Sequence, residues 1–125
     1  MYRAATKEDL AQFCAFLSYK GSEDMKGIVA YDENGVAGMV GFDHWTNTSV
    51  HAHMMLPNPK CTIGIWKEVK RYLREHGYKV VIGMTPAHIE RAIKLLKRGL
   101  KWQEVARIKD GWDEGTDIVI TEYRL

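Results

Sequence analysis

A nearly continuous apolar run at residues 79–84 constrains the fold of this chain most strongly. Such a run lacks a polar face, so it predicts a strand buried in the interior of a sheet. Val69 and Leu73 lie on the apolar face of a predicted helix before the run, and Ile93 and Leu96 lie on that of a helix after it. A sheet covered by helices is therefore the expected packing.

Cap and turn signals place the elements of the first half. Residues 6–9 have the pattern of a capping box and precede a helix with Phe13 on its apolar face. Asn34-Gly35 between two apolar runs predicts a β-hairpin. A second turn at residues 45–48 leads into a strand at residues 50–56.

In the second half, a helix is predicted from about Thr62 to Glu75 and a buried strand follows it. Thr85 is expected to cap the last helix with Pro86 at its first position. The apolar face of that helix is predicted to contain Ile89, Ala92, Ile93 and Leu96. Two strands, joined through Asp110-Gly111 and a polar loop, complete the order β-α-β-β-β-α-β-α-β-β.

Size and charge limit the functional classes. The 125 residues suit one domain, and a net charge of +2 favours neither nucleic acid nor an anionic membrane as a partner. The basic cluster at residues 94–101 is expected to be a solvated helix face. No apolar stretch reaches the roughly 20 residues that span a bilayer. Cys14 and Cys61 are expected to be free thiols, and a cytoplasmic protein is expected.

The junction before the middle helix is the best candidate for a ligand site. At residues 56–62 a strand ends in a loop that contains Pro, Lys and Thr, and an amphipathic helix then begins. A helix N-terminus presents unpaired N–H groups and the positive end of the helix dipole. Both favour a phosphate group.

The element order and this junction resemble the GCN5-related N-acetyltransferase (GNAT) family over almost the whole chain. The motif of that family at this place is Gln/Arg-x-x-Gly-x-Gly/Ala. Gly64 matches its last glycine, Thr62 stands at its first glycine, and Pro59 stands at the Gln/Arg position. The resemblance implies an acyl-CoA N-acyltransferase-like α/β (α+β) fold, with a mixed, mostly antiparallel sheet of about seven strands over residues 1–125.

The last helix is similar to the corresponding family helix, Asn-x-x-Ala-x-x-x-Tyr-x-x-x-Gly-Phe. Ala92, a basic helix end and Gly99 followed by bulky residues agree with that pattern. Leu96 replaces the tyrosine that often protonates the leaving thiolate. The short length and the weak motif look like acetyltransferase-like proteins of some tailed phages.

The resemblance implies acetyl-CoA as co-substrate and a set of residues to bind it. Backbone amides at the helix start would hold the pyrophosphate, helped by the Thr62 hydroxyl and the Lys60 charge. The fourth strand would pair with the pantetheine arm, and His88 could contact the cofactor. The candidate cofactor-binding residues are Met54, Met55, Leu56, Lys60, Cys61, Thr62, Ile63, Gly64, Ile65 and His88.

Purely structural roles would explain the same residues. Thr62 can be the N-cap of a plain β–α turn. Methionines commonly pack in cores. His88 can be a solvent-facing residue in the first turn of a helix.

Acetyl transfer to an amine also needs a proton acceptor. His53 and Asp43 are the candidate catalytic residues, and His51 and His44 are further candidates. His51 and His53 share one strand face because side chains alternate along a strand. Partly exposed strand histidines without a catalytic role are the alternative.

Three histidines also admit a metal interpretation. The His-x-His pair His51 and His53 could supply two metal ligands from one strand. His44, Asp43 or Cys61 could supply further ligands. Spacing alone is a weak signal, so the sequence assigns no metal site.

The favoured function is an acetyl-CoA-dependent N-acetyltransferase that transfers acetyl to a primary amine by direct attack. The amine acceptor, a small molecule or a protein, is left open, as is the choice between monomer and homodimer. The alternative is a catalytically silent module of the same fold.

Overall fold

The sheet has seven strands in the order β1-β2-β3-β4-β5-β7-β6 in a computed structural model that describes residues 1–125. The strands are β1 (Tyr2–Ala4), β2 (Lys26–Asp32), β3 (Gly35–His44), β4 (Ser49–Met55), β5 (Val80–Pro86), β6 (Gln103–Asp113) and β7 (Thr116–Arg124). Only β4 and β5 pair in parallel, and every other neighbouring pair is antiparallel. The predicted mixed, mostly antiparallel sheet and its element order are confirmed.

Three helices complete the fold: α1 (Lys7–Leu17), α2 (Thr62–Glu75) and α3 (Glu90–Lys94). A short 3₁₀ turn, Pro59–Cys61, leads into α2, and a π-helical turn, Leu95–Gly99, extends α3. The predicted bounds of α2 are confirmed. None of the helices is both long enough and apolar enough to cross a membrane.

The helices cover both faces of the sheet. Ile65, Val69 and Leu73 of α2 are fully buried and join one cluster with residues of β2 to β5. Burying each of these side chains contributes about 1.5–3 kcal/mol. Phe13 of α1 belongs to a separate, smaller cluster with Val29 and Met39. Alternation along the strands therefore gives α1 and α2 different faces of the sheet.

Local caps explain where α1 and α2 begin and end. Thr6 accepts from the Asp9 amide at 3.1 Å, and the Asp9 carboxylate accepts from the Thr6 amide at 2.8 Å, so the predicted capping box is present. Gly77, just beyond α2, has a φ of +81°, which glycine adopts without strain. The predicted stop is confirmed.

The predicted start of the last helix is wrong. Thr85 and Pro86 continue β5 and lie opposite Val119 and Ile118 of β7. Pro86 stands at the strand end, where its missing N–H is tolerated. The helix begins at Glu90 instead, and this leaves Ile89 exposed.

The predicted turn at Asp110-Gly111 is also wrong. β6 runs on to Asp113 through an irregular stretch, and the chain reverses at Glu114-Gly115. Asp110 keeps a positive φ of 54° inside that stretch. Its carboxylate accepts from the Gly115 amide at 2.9 Å and so stabilises the later turn.

Candidate functional site

β4 and β5 separate after a short parallel contact and form an open wedge. Their pairing ends with His51 opposite Ile82. Beyond that point β4 continues to Met55 against β3, whereas β5 continues to Pro86 against β7. Backbone groups of β4 that face the wedge therefore lack a strand partner, and such groups require one. An extended ligand with amide groups could supply it by strand-like pairing.

The predicted pantetheine-binding residues lie along this wedge. Met54 and Leu56 pack against the core cluster beneath α2, and Met55 packs against the cluster beneath α1. All three side chains are half-buried. Their side chains thus have a packing role, while their backbone remains the part available to a ligand.

The loop after β4 engages several of the amides that were expected to bind phosphate. Lys60 donates its backbone N–H to the Asn58 side chain at 3.0 Å, and Cys61 donates its own to the Asn58 carbonyl at 3.2 Å. The Thr62 amide donates to Pro59. No hydrogen bond outside regular structure engages the amides of Ile63 and Gly64. These two amides, at the first turn of α2, are the donors best placed for an anion.

Thr62 does not cap α2. Cys61 occupies the N-cap position without a side-chain cap bond, and Thr62 is the first residue of the helix. The Thr62 hydroxyl is buried and has no hydrogen-bond partner. A buried hydroxyl without a partner costs roughly 1–3 kcal/mol, so this position is energetically unsatisfied.

Gly64 lies directly under the side chain of Tyr2. A Cβ atom built on Gly64 would collide with the Tyr2 hydroxyl. The approach of this side chain from β1 therefore favours glycine at position 64. Tyr2 is 41% exposed, so its ring can move without disturbing the core.

The remaining cofactor candidates differ in their surroundings. Lys60, Ile63 and His88 are exposed, whereas Ile65 is buried. The Cys61 thiol donates to the carbonyls of Asn58 at 3.1 Å and Ala37 at 3.5 Å. Burial raises the pKa of the Cys61 thiol. Both cysteines are free thiols, as predicted.

Asp43 is the buried centre of a polar cluster on the α1 side of the sheet. Its carboxylate accepts from the Tyr19 hydroxyl at 2.8 Å, the Ser22 hydroxyl at 2.6 Å and the Ser22 amide at 3.0 Å. Burial alone would raise the pKa of Asp43, but these hydrogen bonds from Ser22 and Tyr19 lower it. Asp43 is therefore an anion at neutral pH.

His51 and His53 face Asp43 from β4. His53 Nε2 lies 3.5 Å from the Asp43 carboxylate, too far for a well-formed hydrogen bond. The Nε2 atoms of both histidines are buried and without a hydrogen-bond partner. Burial lowers the pKa of His51, and burial together with the neighbouring His51 holds the pKa of His53 at about 4, against the opposing pull of Asp43. Both imidazoles are neutral at physiological pH.

The structure brings His53, His51 and Asp43 together and leaves His44 out. His44 is exposed, and its Nδ1 lies 2.9 Å from the Tyr78 hydroxyl. Sequence reasoning missed Tyr19 and Ser22, which donate to Asp43 and lie between α1 and β2. An aromatic and a serine just after a helix carry no local signal of their distant partner.

Two open pockets border these elements. One, of about 270 Å³, lies between the sheet and the C-terminal end of α2 and is lined by Phe42, His44 and Tyr72. The other, of about 260 Å³, lies on the α1 face and is lined in part by Phe13 and Met55. Neither of these two pockets is lined by the loop that precedes α2.

No protein-family model matches the sequence, and no curated protein matches it. Solved structures do resemble the fold. Arabidopsis thaliana NAA60 in complex with a bisubstrate analogue is 16% identical with a TM-score of 0.79, over 99% of this chain and 97% of that one. Ribosomal-protein-alanine N-acetyltransferase from Brucella melitensis is 16% identical with a TM-score of 0.77, over 100% and 99% of the two chains. A GNAT family acetyltransferase from Elizabethkingia anophelis with acetyl-CoA bound is 12% identical with a TM-score of 0.76, over 100% and 97%.

These similarities extend over nearly the full length of each neighbour at very low sequence identity. At such identity the likeness concerns the fold. The chain therefore has the acyl-CoA N-acyltransferase fold of the GNAT acetyltransferases.

Proposed function

We propose that this protein is an acetyl-CoA-dependent N-acetyltransferase that transfers acetyl to a primary amine by direct attack. The observation that carries the proposal is the β4–β5 wedge beside the N-terminus of α2. An extended acyl-bearing arm fits the wedge, and a pyrophosphate fits the helix N-terminus. One structural neighbour, from Elizabethkingia anophelis, has acetyl-CoA bound.

The chain's own groups suit such a co-substrate in two places. The backbone of residues 54–56 would pair with the arm, and the Ile63 and Gly64 amides would meet the pyrophosphate, with the exposed Lys60 adding positive charge. The side chains of Cys61, Thr62 and Ile65 would act through packing, because the first is half-buried and the other two are buried. His88, exposed after β5, would lie at the rim.

His53 is the proposed proton acceptor, and Asp43 is the group that orients it. Asp43 faces Nε2 of His53, which favours the tautomer with the proton on Nε2 and a lone pair on Nδ1. The amine nitrogen attacks the thioester carbonyl carbon, the C–S bond breaks, and the amine proton passes to Nδ1. The thiolate leaves with the electron pair and takes a proton from solvent, because Leu96 is a buried apolar residue.

A catalytically silent module of the same fold is the second candidate, and specific observations favour it. The Thr62 hydroxyl is buried, Tyr2 covers Gly64, and Leu96 offers no proton. Each departs from what a GNAT enzyme is expected to present to acetyl-CoA. Such a module would bind the cofactor or a partner without turnover.

In both cases we take residues 1–125 as a single GNAT-like domain. It would be a short, divergent member of the kind that some tailed phages carry. We place it in the cytoplasm, as a monomer or a homodimer.

Turnover on a panel of primary amines, followed as release of the free thiol, tests the proposal. The assay contains a chelator, and acetyl-CoA binding is measured in parallel. His53→Gln should lower kcat by about 10²-fold, the lower end of the usual contribution of a general base, because a pKa of about 4 makes His53 a weak proton acceptor. Cofactor affinity should be unchanged. His76→Gln, a change at the exposed end of α2, is the matched control and should keep full activity. Binding without turnover on any amine would establish the silent module, and an unchanged kcat in His53→Gln would remove His53 from the mechanism.

A further inference from the structure

Asp43, His51 and His53 form a compact set of ligand-type side chains. Their donor atoms all lie within 4.8 Å of one another. The sheet register brings them together, since Asp43 lies opposite His51 in the antiparallel β3–β4 pair and His53 is the next residue on the same face. Three ligands are thus supplied by two adjacent, hydrogen-bonded strands.

The hydrogen bonding of this set is incomplete in a way that a cation would correct. Both Nε2 atoms are buried and unpartnered. Buried polar atoms nearly always have a partner, and each exception costs roughly 1–3 kcal/mol. Histidines that serve only as core residues would be expected to bond a carbonyl or a hydroxyl. Here the rings instead place two nitrogens beside an anionic carboxylate.

One donor–donor distance in this set matches that expected around a tetrahedral metal ion. Zinc–ligand bonds of about 2.0–2.2 Å at tetrahedral angles separate neighbouring donor atoms by about 3.4 Å. The distance between His53 Nε2 and the Asp43 carboxylate is 3.5 Å, long for a hydrogen bond but close to this separation.

A second layer of contacts surrounds two of the three ligands, Asp43 and His53. Tyr19 and Ser22 donate to the Asp43 carboxylate, and the Tyr19 ring lies 4.0 Å from the His53 ring, centroid to centroid. Outer partners of this kind orient the ligands of metal sites.

We propose that Asp43, His51 and His53 bind one divalent transition-metal ion, with the fourth coordination position open to a water molecule. Two imidazoles and one carboxylate favour zinc and its neighbours over calcium or magnesium, which prefer oxygen ligands. His44 is not part of this site, because it pairs with Tyr78. Cys61 is not part of it either, because its thiol faces the carbonyls of Ala37 and Asn58.

The metal site does not depend on the proposed acetyl transfer, and the two uses of His53 exclude each other. A metal needs the Nε2 lone pair, whereas the proton acceptor described above carries its proton on Nε2. Metal loading is therefore expected to abolish any transfer that depends on His53.

Zinc titration of the full chain, after removal of metals with a chelator, tests the site without acetyl-CoA. Calorimetry should show one Zn²⁺ bound per chain and a raised melting temperature. His51→Gln and His53→Gln should weaken binding by more than the roughly 10- to 100-fold that loss of an outer partner costs. Tyr19→Phe should fall within that range, and His44→Gln is the matched control that should keep wild-type affinity.

A measurement on the unaltered protein covers the case in which a variant fails to fold. Nitrogen-15 spectra of the histidine rings should show two of the five rings changing at Nε2 when Zn²⁺ is added. Absence of stoichiometric Zn²⁺ binding by the folded wild type would overturn the proposal. Equal weakening in His44→Gln, or spectral changes confined to other rings, would also overturn it.

Discussion

At the scale of single residues, both packing and ligand binding can explain the glycine at position 64. The Tyr2 hydroxyl occupies the space that a Cβ atom would need. A phosphate at the start of α2 would need the same space for its approach. A loss of cofactor affinity in a Gly64 variant would therefore be ambiguous in the wild-type background.

A Tyr2→Ala background separates the two effects. There, Gly64→Ala should leave stability unchanged or raise it by up to about 1 kcal/mol, because alanine is the better helix former. In the presence of Tyr2 the same change should be destabilising, as measured by chemical denaturation. If phosphate approaches Gly64, acetyl-CoA affinity should fall in both backgrounds. Affinity that falls only when Tyr2 is present would show that the glycine serves packing alone.

At the scale of elements, the N-terminus of α1 concentrates charge and caps. Asp9 accepts hydrogen bonds from Arg3 and from the Thr6 amide. The hydrogen bond from Arg3, helped by the bonds from Thr6, lowers the pKa of Asp9 well below its ordinary value of 3.8 and outweighs the opposing effect of burial. Because the folded-state pKa is the lower one, stability from Asp9 is present above about pH 3.8 and is lost as the pH falls below it.

Asp9→Asn should therefore lower stability by about 1 kcal/mol at neutral pH, in the range of a lost cap. The free energy of unfolding of this variant should also fall less steeply below pH 3.8 than that of the wild type. The surface ion pair adds little to this figure, since Arg3 is 40% exposed. Glu8→Gln, on the same helical turn, is the control. Parallel stability curves for Asp9→Asn and wild type at acid pH would contradict the assignment.

Local sequence patterns predict the order of the helices and strands, but not all of their ends. Caps, the Asn34-Gly35 hairpin and helical periodicity were enough to predict every helix and strand in order, because each depends on residues close in sequence. The errors at Thr85-Pro86 and Asp110-Gly111 arise where pairing with β7 overrides a local signal. The cap pattern at Thr85-Pro86 does not start a helix, because the pairing of β5 with β7 continues through both residues.

At the scale of the whole molecule, the candidate sites are made by contacts between distant segments. Alternation predicted that His51 and His53 share a face, but their meeting with Asp43 depends on the β3–β4 register. The bonds from Tyr19 and Ser22 to Asp43, and the cover of Tyr2 over Gly64, join segments that carry no common pattern. The wedge likewise depends on β5 leaving β4 to follow β7.

Calorimetric titration with acetyl-CoA, with the melting temperature followed in parallel, tests the central claim most directly. We expect one binding site with a Kd in the range of about 1 µM and a raised melting temperature. S-acetyl pantetheine, which lacks the pyrophosphate, is the matched ligand control and should bind more weakly. No heat and no shift in melting temperature at millimolar acetyl-CoA would contradict the claim that the β4–β5 wedge and the α2 N-terminus form a cofactor site.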